Sequence, residues 1–135
     1  MLPLTGKTAL ITGASAPHGI GRAIADTLAD EGANVAICAR NGDQVATAVS
    51  ELKAKGVSAT GGSVDVTNGE QLKAWINSAA ETLGGIDILI SNAGAMAQGN
   101  DPDSWKQNFN LDVLGAVNAF DAAEPFLGKA ADEKG

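Results

Sequence analysis

A chain of 135 residues, 44% hydrophobic and 19% charged, has room for one buried core and the composition of a globular domain rather than a disordered segment. No apolar run approaches the roughly 18 residues of a membrane span, and the first residues lack the basic end and apolar stretch of a secretion signal, so a cytoplasmic protein without a membrane partner is expected. A net charge of −7 argues against nucleic acid as the main partner, and any anionic ligand has to be held locally.

Short apolar runs alternate with apolar positions at helical spacing, which predicts parallel strands joined by helices. Residues 7–12 read as a buried strand, and Ile20, Ala23, Ile24 and Leu28 then share one helical face, closed by Gly32 as a left-handed cap. Residues 35–39 are the second strand, followed by a helix with Val45, Ala48, Val49 and Leu52 inward and Gly56 at its end. The run 57–66 is weaker because Gly61-Gly62 interrupts it, and a bulge or a late strand start is expected. Thr67 and Glu70 have capping-box spacing for a third helix, with Leu72, Trp75, Ile76, Ala79 and Leu83 inward and Gly84-Gly85 as its stop. Residues 86–91 are the fourth strand.

Asp101-Pro102 then opens a long helix with proline in its first turn. Trp105, Phe109, Val113 and Val117 make one stripe, widened by Leu111, Leu114 and Phe120. That is more apolar surface than packing on a sheet requires, so a second buried contact is implied. Residues 128–135 are polar enough to read as a frayed end. The single cysteine, Cys38, lies in an apolar stretch with no metal-ligand cluster nearby and reads as a small core residue; no metal is expected.

Between the first strand and its helix runs Thr12-Gly13-Ala14-Ser15-Ala16-Pro17-His18-Gly19-Ile20-Gly21. Gly13 permits a tight turn, Gly19 and Gly21 permit close approach, and the unpaired amides of the first helical turn favour a pyrophosphate. A strand-helix turn that needs glycine for geometry alone is the competing reading. The second strand ends in Ala39-Arg40-Asn41, where a dinucleotide fold meets the adenosine ribose. Ala39 supplies no carboxylate for a 2′-hydroxyl, whereas the planar guanidinium of Arg40 suits a 2′-phosphate, which favours NADP(H) over NAD(H). A solvated loop arginine is the alternative.

Thr12-Gly13 with Gly19-Ile20-Gly21, then Asp65-Val66, then Asn92-Ala93-Gly94, then Asn110, resembles the short-chain dehydrogenase/reductases in order and spacing over nearly the whole chain. The resemblance implies an α/β, Rossmann-type open parallel sheet with strand order 3-2-1-4 and helices on both faces, a single NAD(P)-binding domain over residues 1–135. It also implies that Asp65 binds the adenine amino group with Val66 beside the ring, that Asn92, Ala93 and Gly94 support the central strand and line the cofactor, and that Asn110 joins a proton relay. Read without the family, Asp65 is a helix-start residue, Asn92 and Gly94 belong to a loop that tolerates positive φ, and Asn110 is a polar residue on a helix flank.

Two departures stand out. Five residues lie between Gly13 and Gly19, where the family's usual motif has three. The longer spacing resembles the divergent enoyl reductases of the same superfamily, but Gly-Ile-Gly and Asn-Ala-Gly favour an ordinary member with a loop insertion. Ser15, Ala16, Pro17 and His18 are then expected to wrap the ribose phosphate, against a solvent-facing role for His18. Further, the family's catalytic serine and Tyr-x-x-x-Lys pair lie beyond the long helix, and this sequence contains no tyrosine. The chain therefore reads as truncated: the cofactor-binding half of an NADP(H)-dependent oxidoreductase that interconverts a small-molecule carbonyl and alcohol, inactive alone and expected to form a homo-oligomer. A non-catalytic dinucleotide-binding or regulatory module, and a half-domain active only when paired with another chain, are the alternatives.

Overall fold

The computed structural model describes residues 1–94 and 97–134. Four parallel strands, β1 (Thr8–Thr12), β2 (Asn34–Ala39), β3 (Ala59–Ser63) and β4 (Ile88–Ile90), form one sheet in the order β3-β2-β1-β4. Around it lie α1 (Ile20–Asp30), α2 (Gly42–Lys53), α3 (Gly69–Leu83), α4 (Pro102–Asn108) and α5 (Gly115–Lys134), with a π-helical segment, Phe109–Leu114, between the last two. This is the doubly wound α/β architecture and strand order that the sequence predicts.

The central strands carry unbroken apolar runs, residues 9–11 and 35–39, because both their faces are covered. In β1 and β2, Ala9, Ile11, Val35 and Ile37 point into the core under α1 and α2, while Leu10, Ala36 and Cys38 alternate into the core shared with α3 and α5. Leu10, Ile11 and Ile37 are fully buried, each contributing about 1.5–3 kcal/mol.

Several expectations are corrected by packing. The buried stripe of α1 is Gly21, Arg22, Ala25 and Ala29, with Ile24 and Leu28 at its edge, while Ile20 is 76% exposed and Ala23 also faces out. Small side chains let the helix sit close to the sheet, and close approach decides its rotation more than apolarity does. Arg22 is accommodated by ion pairs to Asp26 and to Glu51 of α2. Gly32 (φ +96°) and Gly56 (φ +95°) do end the first two helices in the left-handed region.

No bulge interrupts β3: Gly61 and Gly62 pair in register with Ile37 and Cys38. A Cβ on Gly61 would stand 2.6 Å from Val45 Cγ1 of α2, and one on Gly62 would stand 2.5 Å from Trp75 Cδ1 of α3. The two glycines thus admit a helix against each face of the strand. The cap of α3 is also one residue later than Thr67: Asn68 accepts from the Gln71 amide at 3.1 Å.

β4 is shorter than predicted: Asp87 donates its amide to the Thr8 carbonyl at 2.9 Å, but the Thr8 amide is taken by the Asp87 carboxylate at 2.8 Å and not by a strand carbonyl. That carboxylate also removes the expected frayed end. Lys134 Nζ donates to Asp87 Oδ2 and to the Gly6 carbonyl, both at 3.0 Å, and α5 stays helical to that residue; Gly135 lies outside the described residues. The apolar stripe on α4, the π segment and α5 is exposed, at 65% for Trp105, 52% for Phe109 and 51% for Phe120.

Candidate cofactor-binding site

Parallel strands deliver their C-terminal ends to one edge of the sheet, so the loops after β1, β2, β3 and β4 meet there. The first and last of these loops are built as one piece. The buried hydroxyl of Thr12 accepts from the amides of Asn92 at 3.0 Å and Ala93 at 3.1 Å, and Asn92 Nδ2 donates to the Gly13 carbonyl at 2.9 Å. Two motifs 80 residues apart in sequence are thereby fixed against each other.

The glycines are required by this closeness. Gly13 has φ +70°, donates its amide to the Cys38 carbonyl at 2.8 Å, and leaves only 2.8 Å between an added Cβ and Ala93 Cα. On Gly21 a Cβ would lie 2.4 Å from Asn92 Nδ2 and 2.6 Å from the Gly13 carbonyl oxygen. Gly19 occupies the N-cap of α1 in an extended conformation, and no side chain caps that helix, which leaves its first-turn amides to a ligand or water.

A cleft of about 620 Å³ opens at this edge. Of the residues singled out in the sequence, Gly13, Ser15, Arg40, Asp65, Val66, Ala93, Gly94 and Asn110 line it. Asn92 lies behind the wall with its amide engaged on Gly13, while His18 and Ile20 face outward and Gly19 and Gly21 shape the turn without lining the cleft.

Arg40 follows β2, its carbonyl accepting from Ser63 Oγ at 2.9 Å. Asp65 is held below the ordinary carboxylate range, first by the Thr67 hydroxyl at 2.7 Å, next by the Thr67 amide at 2.9 Å, and less by the nearby charge of Arg40. Its amide donates to Gln71 Oε1 at 2.9 Å, so Asp65 organises the start of α3 as well as lining the cleft. Val66 is buried beneath the start of α5, where a Cβ on Gly115 would approach its Cγ2 to 3.1 Å. Burial pushes the Cys38 thiol up to about 12, which removes it as a nucleophile near neutral pH.

Sequence reasoning missed Gln44, Asp103, Lys106, Gln107 and Leu111 on the cleft wall, and Asp112, whose Oδ1 stands 3.3 Å from a Cβ built on Gly94. A signal was present for the polar residues of α4: positions 103, 106, 107 and 110 recur at helical spacing on the side opposite the apolar stripe. Among the described residues no group of acidic, histidine and cysteine side chains is arranged to hold a metal ion, and no helix is long and apolar enough to cross a membrane.

The sequence model of the short chain dehydrogenase family matches residues 7–135. Isoepoxydon dehydrogenase patN of Penicillium expansum is 35% identical over 133 residues, covering 94% of this chain and 49% of that protein. Among solved structures, NAD+-bound xylitol dehydrogenase matches with a TM-score of 0.86 at 30% identity, over 93% of this chain and 49% of that one. An actinorhodin polyketide ketoreductase with NADPH matches with a TM-score of 0.86 at 29% identity, over 98% of this chain and 51% of that one. The chain spans about half the length of each of these proteins. With the strand order, the locked glycine and Asn-Ala-Gly loops and a family match across almost every residue, the chain belongs to the short chain dehydrogenase family.

Proposed function

We propose that the cleft binds a nicotinamide dinucleotide, NADP(H) in preference to NAD(H), and that this chain is the cofactor-binding half of an oxidoreductase that interconverts a small-molecule carbonyl and alcohol. The observation that carries the preference is Arg40 on the cleft wall at the end of β2, with the uncharged Ala39 before it. The chain's own residues fit such a group: Gly13 and Gly21 permit the close packing that holds the turn at the cleft edge, and no side chain caps the α1 amides. Related structures carry NAD+ and NADPH.

When bound, the nicotinamide supplies or accepts the hydride. The protein's task is to hold and orient it. First-turn amides of α1 meet the pyrophosphate, Arg40 meets the 2′-phosphate by charge-assisted hydrogen bonds, Asp65 accepts from the adenine amino group, and Ala93 and Gly94 form the floor. Asn110 then orients a proton-relay water from the π segment, but an amide neither gives up nor takes a proton near neutral pH. Carbonyl reduction needs a general acid, worth about 10²–10⁴-fold, and the sequence has no tyrosine to provide one.

Both halves of this reading can be measured. By titration calorimetry the chain binds NADPH more tightly than NADH, and Arg40→Ala removes about tenfold or more of that preference; equal affinities in the unaltered chain refute it. With NADPH and a panel of ketones, the 135-residue chain shows no cofactor oxidation above background, and steady turnover refutes the half-domain reading. The exposed stripe on α4 and α5, and β4, which among the described residues pairs with β1 alone, favour association with another polypeptide surface, a second copy of the chain being the simplest, so a homo-oligomer is part of the proposal.

A further inference from the structure

We infer that Gln44, which no sequence motif marks, is a specificity-determining residue that donates a hydrogen bond to the cofactor's 2′-phosphate beside Arg40; the inference rests on the NADP(H) reading above. Three observations converge on it. Ser15, in the lengthened glycine loop, is turned inward until it is only 6% exposed, and its hydroxyl donates to Gln44 Oε1 at 3.3 Å across the gap between that loop and α2. The backbone of Gln44 is fixed as well, its amide donating to Asn41 Oδ1 at 3.1 Å at the start of α2. Finally, Ser15, Arg40, Asn41 and Gln44 all line the cleft.

The chemistry comes from where the carboxamide is held. With its oxygen taken by Ser15, the nitrogen presents two N–H groups that no described residue accepts, in the cleft that Arg40 also lines. A phosphate offers only acceptors and takes one of these donors in a charge-assisted bond, whereas a ribose hydroxyl offers a weaker, neutral acceptor. The nearest carboxylate in sequence, Asp43, does not line the cleft; it lines an adjoining groove with Arg22 and Glu51 that Ser15 and Gln44 also border.

The test uses 2′,5′-ADP and 5′-ADP, which share the adenosine end and differ at the ribose phosphate, titrated calorimetrically into the full chain and its variants. Gln44→Leu removes the donors without adding charge, and Gln44→Glu keeps an acceptor for Ser15 while placing a negative charge at the subsite. Both are expected to fold, because Gln44 is exposed, and a melting curve checks this. Expected are a loss of about tenfold in 2′,5′-ADP affinity for Gln44→Leu, a larger loss for Gln44→Glu, and 5′-ADP affinity within about twofold throughout. Ser15→Ala, which frees the amide, shows a smaller loss in the same ligand. If Gln44→Leu binds 2′,5′-ADP as the unaltered chain does, Gln44 does not donate and the inference is overturned, even where Gln44→Glu binds weakly. Equal losses for both ligands overturn it too. Should the unaltered chain bind the two ligands equally, with Arg40→Ala changing neither, the NADP(H) reading itself has failed.

Discussion

Replacing Gly21 with alanine tests the lock between the glycine loop and the Asn-Ala-Gly loop. Gly21 lies in α1 with no positive φ, so alanine suits its backbone and any cost comes from contact alone. The new Cβ would stand 2.4 Å from Asn92 Nδ2 and 2.6 Å from the Gly13 carbonyl oxygen, the two atoms that already share a 2.9 Å hydrogen bond. It cannot be accommodated without separating them. Overpacking of this kind costs about 1–3 kcal/mol and a lost hydrogen bond about 0.5–1.5 kcal/mol, so roughly 1.5–4.5 kcal/mol is expected in all. For a domain of this size that corresponds to a fall in Tm of roughly 6–18 °C, at about 4 °C per kcal/mol. Differential scanning calorimetry measures it, and titration with 2′,5′-ADP should show affinity lost as the turn is displaced. Gly56→Ala is the control: its φ is +95° and nothing lies within 4 Å of an added Cβ, so it should cost about 1–2 kcal/mol from backbone strain and leave binding unchanged. A Gly21→Ala protein that melts within about 1 °C of the unaltered chain and binds as well would refute the lock.

Asp65→Ala should weaken NADPH binding while lowering Tm only slightly at neutral pH. Because the folded carboxyl sits below its ordinary value, its contribution to stability is present above about pH 4 and is lost as pH falls through the folded value. Melting curves of the two proteins should therefore converge on acidification, and a gap that persists unchanged to pH 2 contradicts the hydrogen bonds assigned to Asp65. For Cys38, a thiol pushed up to about 12 is ionised in only about one molecule in ten thousand at pH 8. Iodoacetamide should then label it only as denaturant unfolds the chain, and rapid labelling of the native protein contradicts its placement.

The strands were legible in the sequence because period-2 burial on both faces leaves a continuous apolar run, and β1 and β2 carry one. What the sequence hid were contacts set by the absence of side chains. Gly61 and Gly62 look like a break in a strand, yet each is the residue across which a helix packs, and that is visible only once Val45 and Trp75 are in place. The same cause misled the reading of α1, where Ile20 is the most apolar residue of its turn and faces outward, while Gly21 and Ala25 face the sheet because nothing larger fits. Charge hid the end of α5: Lys134 looks like a solvated tail residue until the buried carboxylate of Asp87 is found beneath it.

The cleft divides along a similar line. Its floor and glycine turn could be read from short motifs, because backbone geometry dictates residue type there; Thr12, Gly13, Gly21 and Asn92 each fill a steric or hydrogen-bonding place that few alternatives satisfy. Its far wall was legible only in part. Asp103, Lys106 and Gln107 project from α4, and the π-helical segment then inserts an extra residue before α5, turning α5 by about 100° relative to an unbroken helix. A helical wheel drawn through residues 102–134 therefore goes out of phase at this segment. It still detects the apolar stripe, which is broad, but loses track of single polar residues such as Asp112. The segment that carries the residue expected to orient the relay water is thus the one where helix periodicity fails, and there the side-chain placement has to come from the three-dimensional structure.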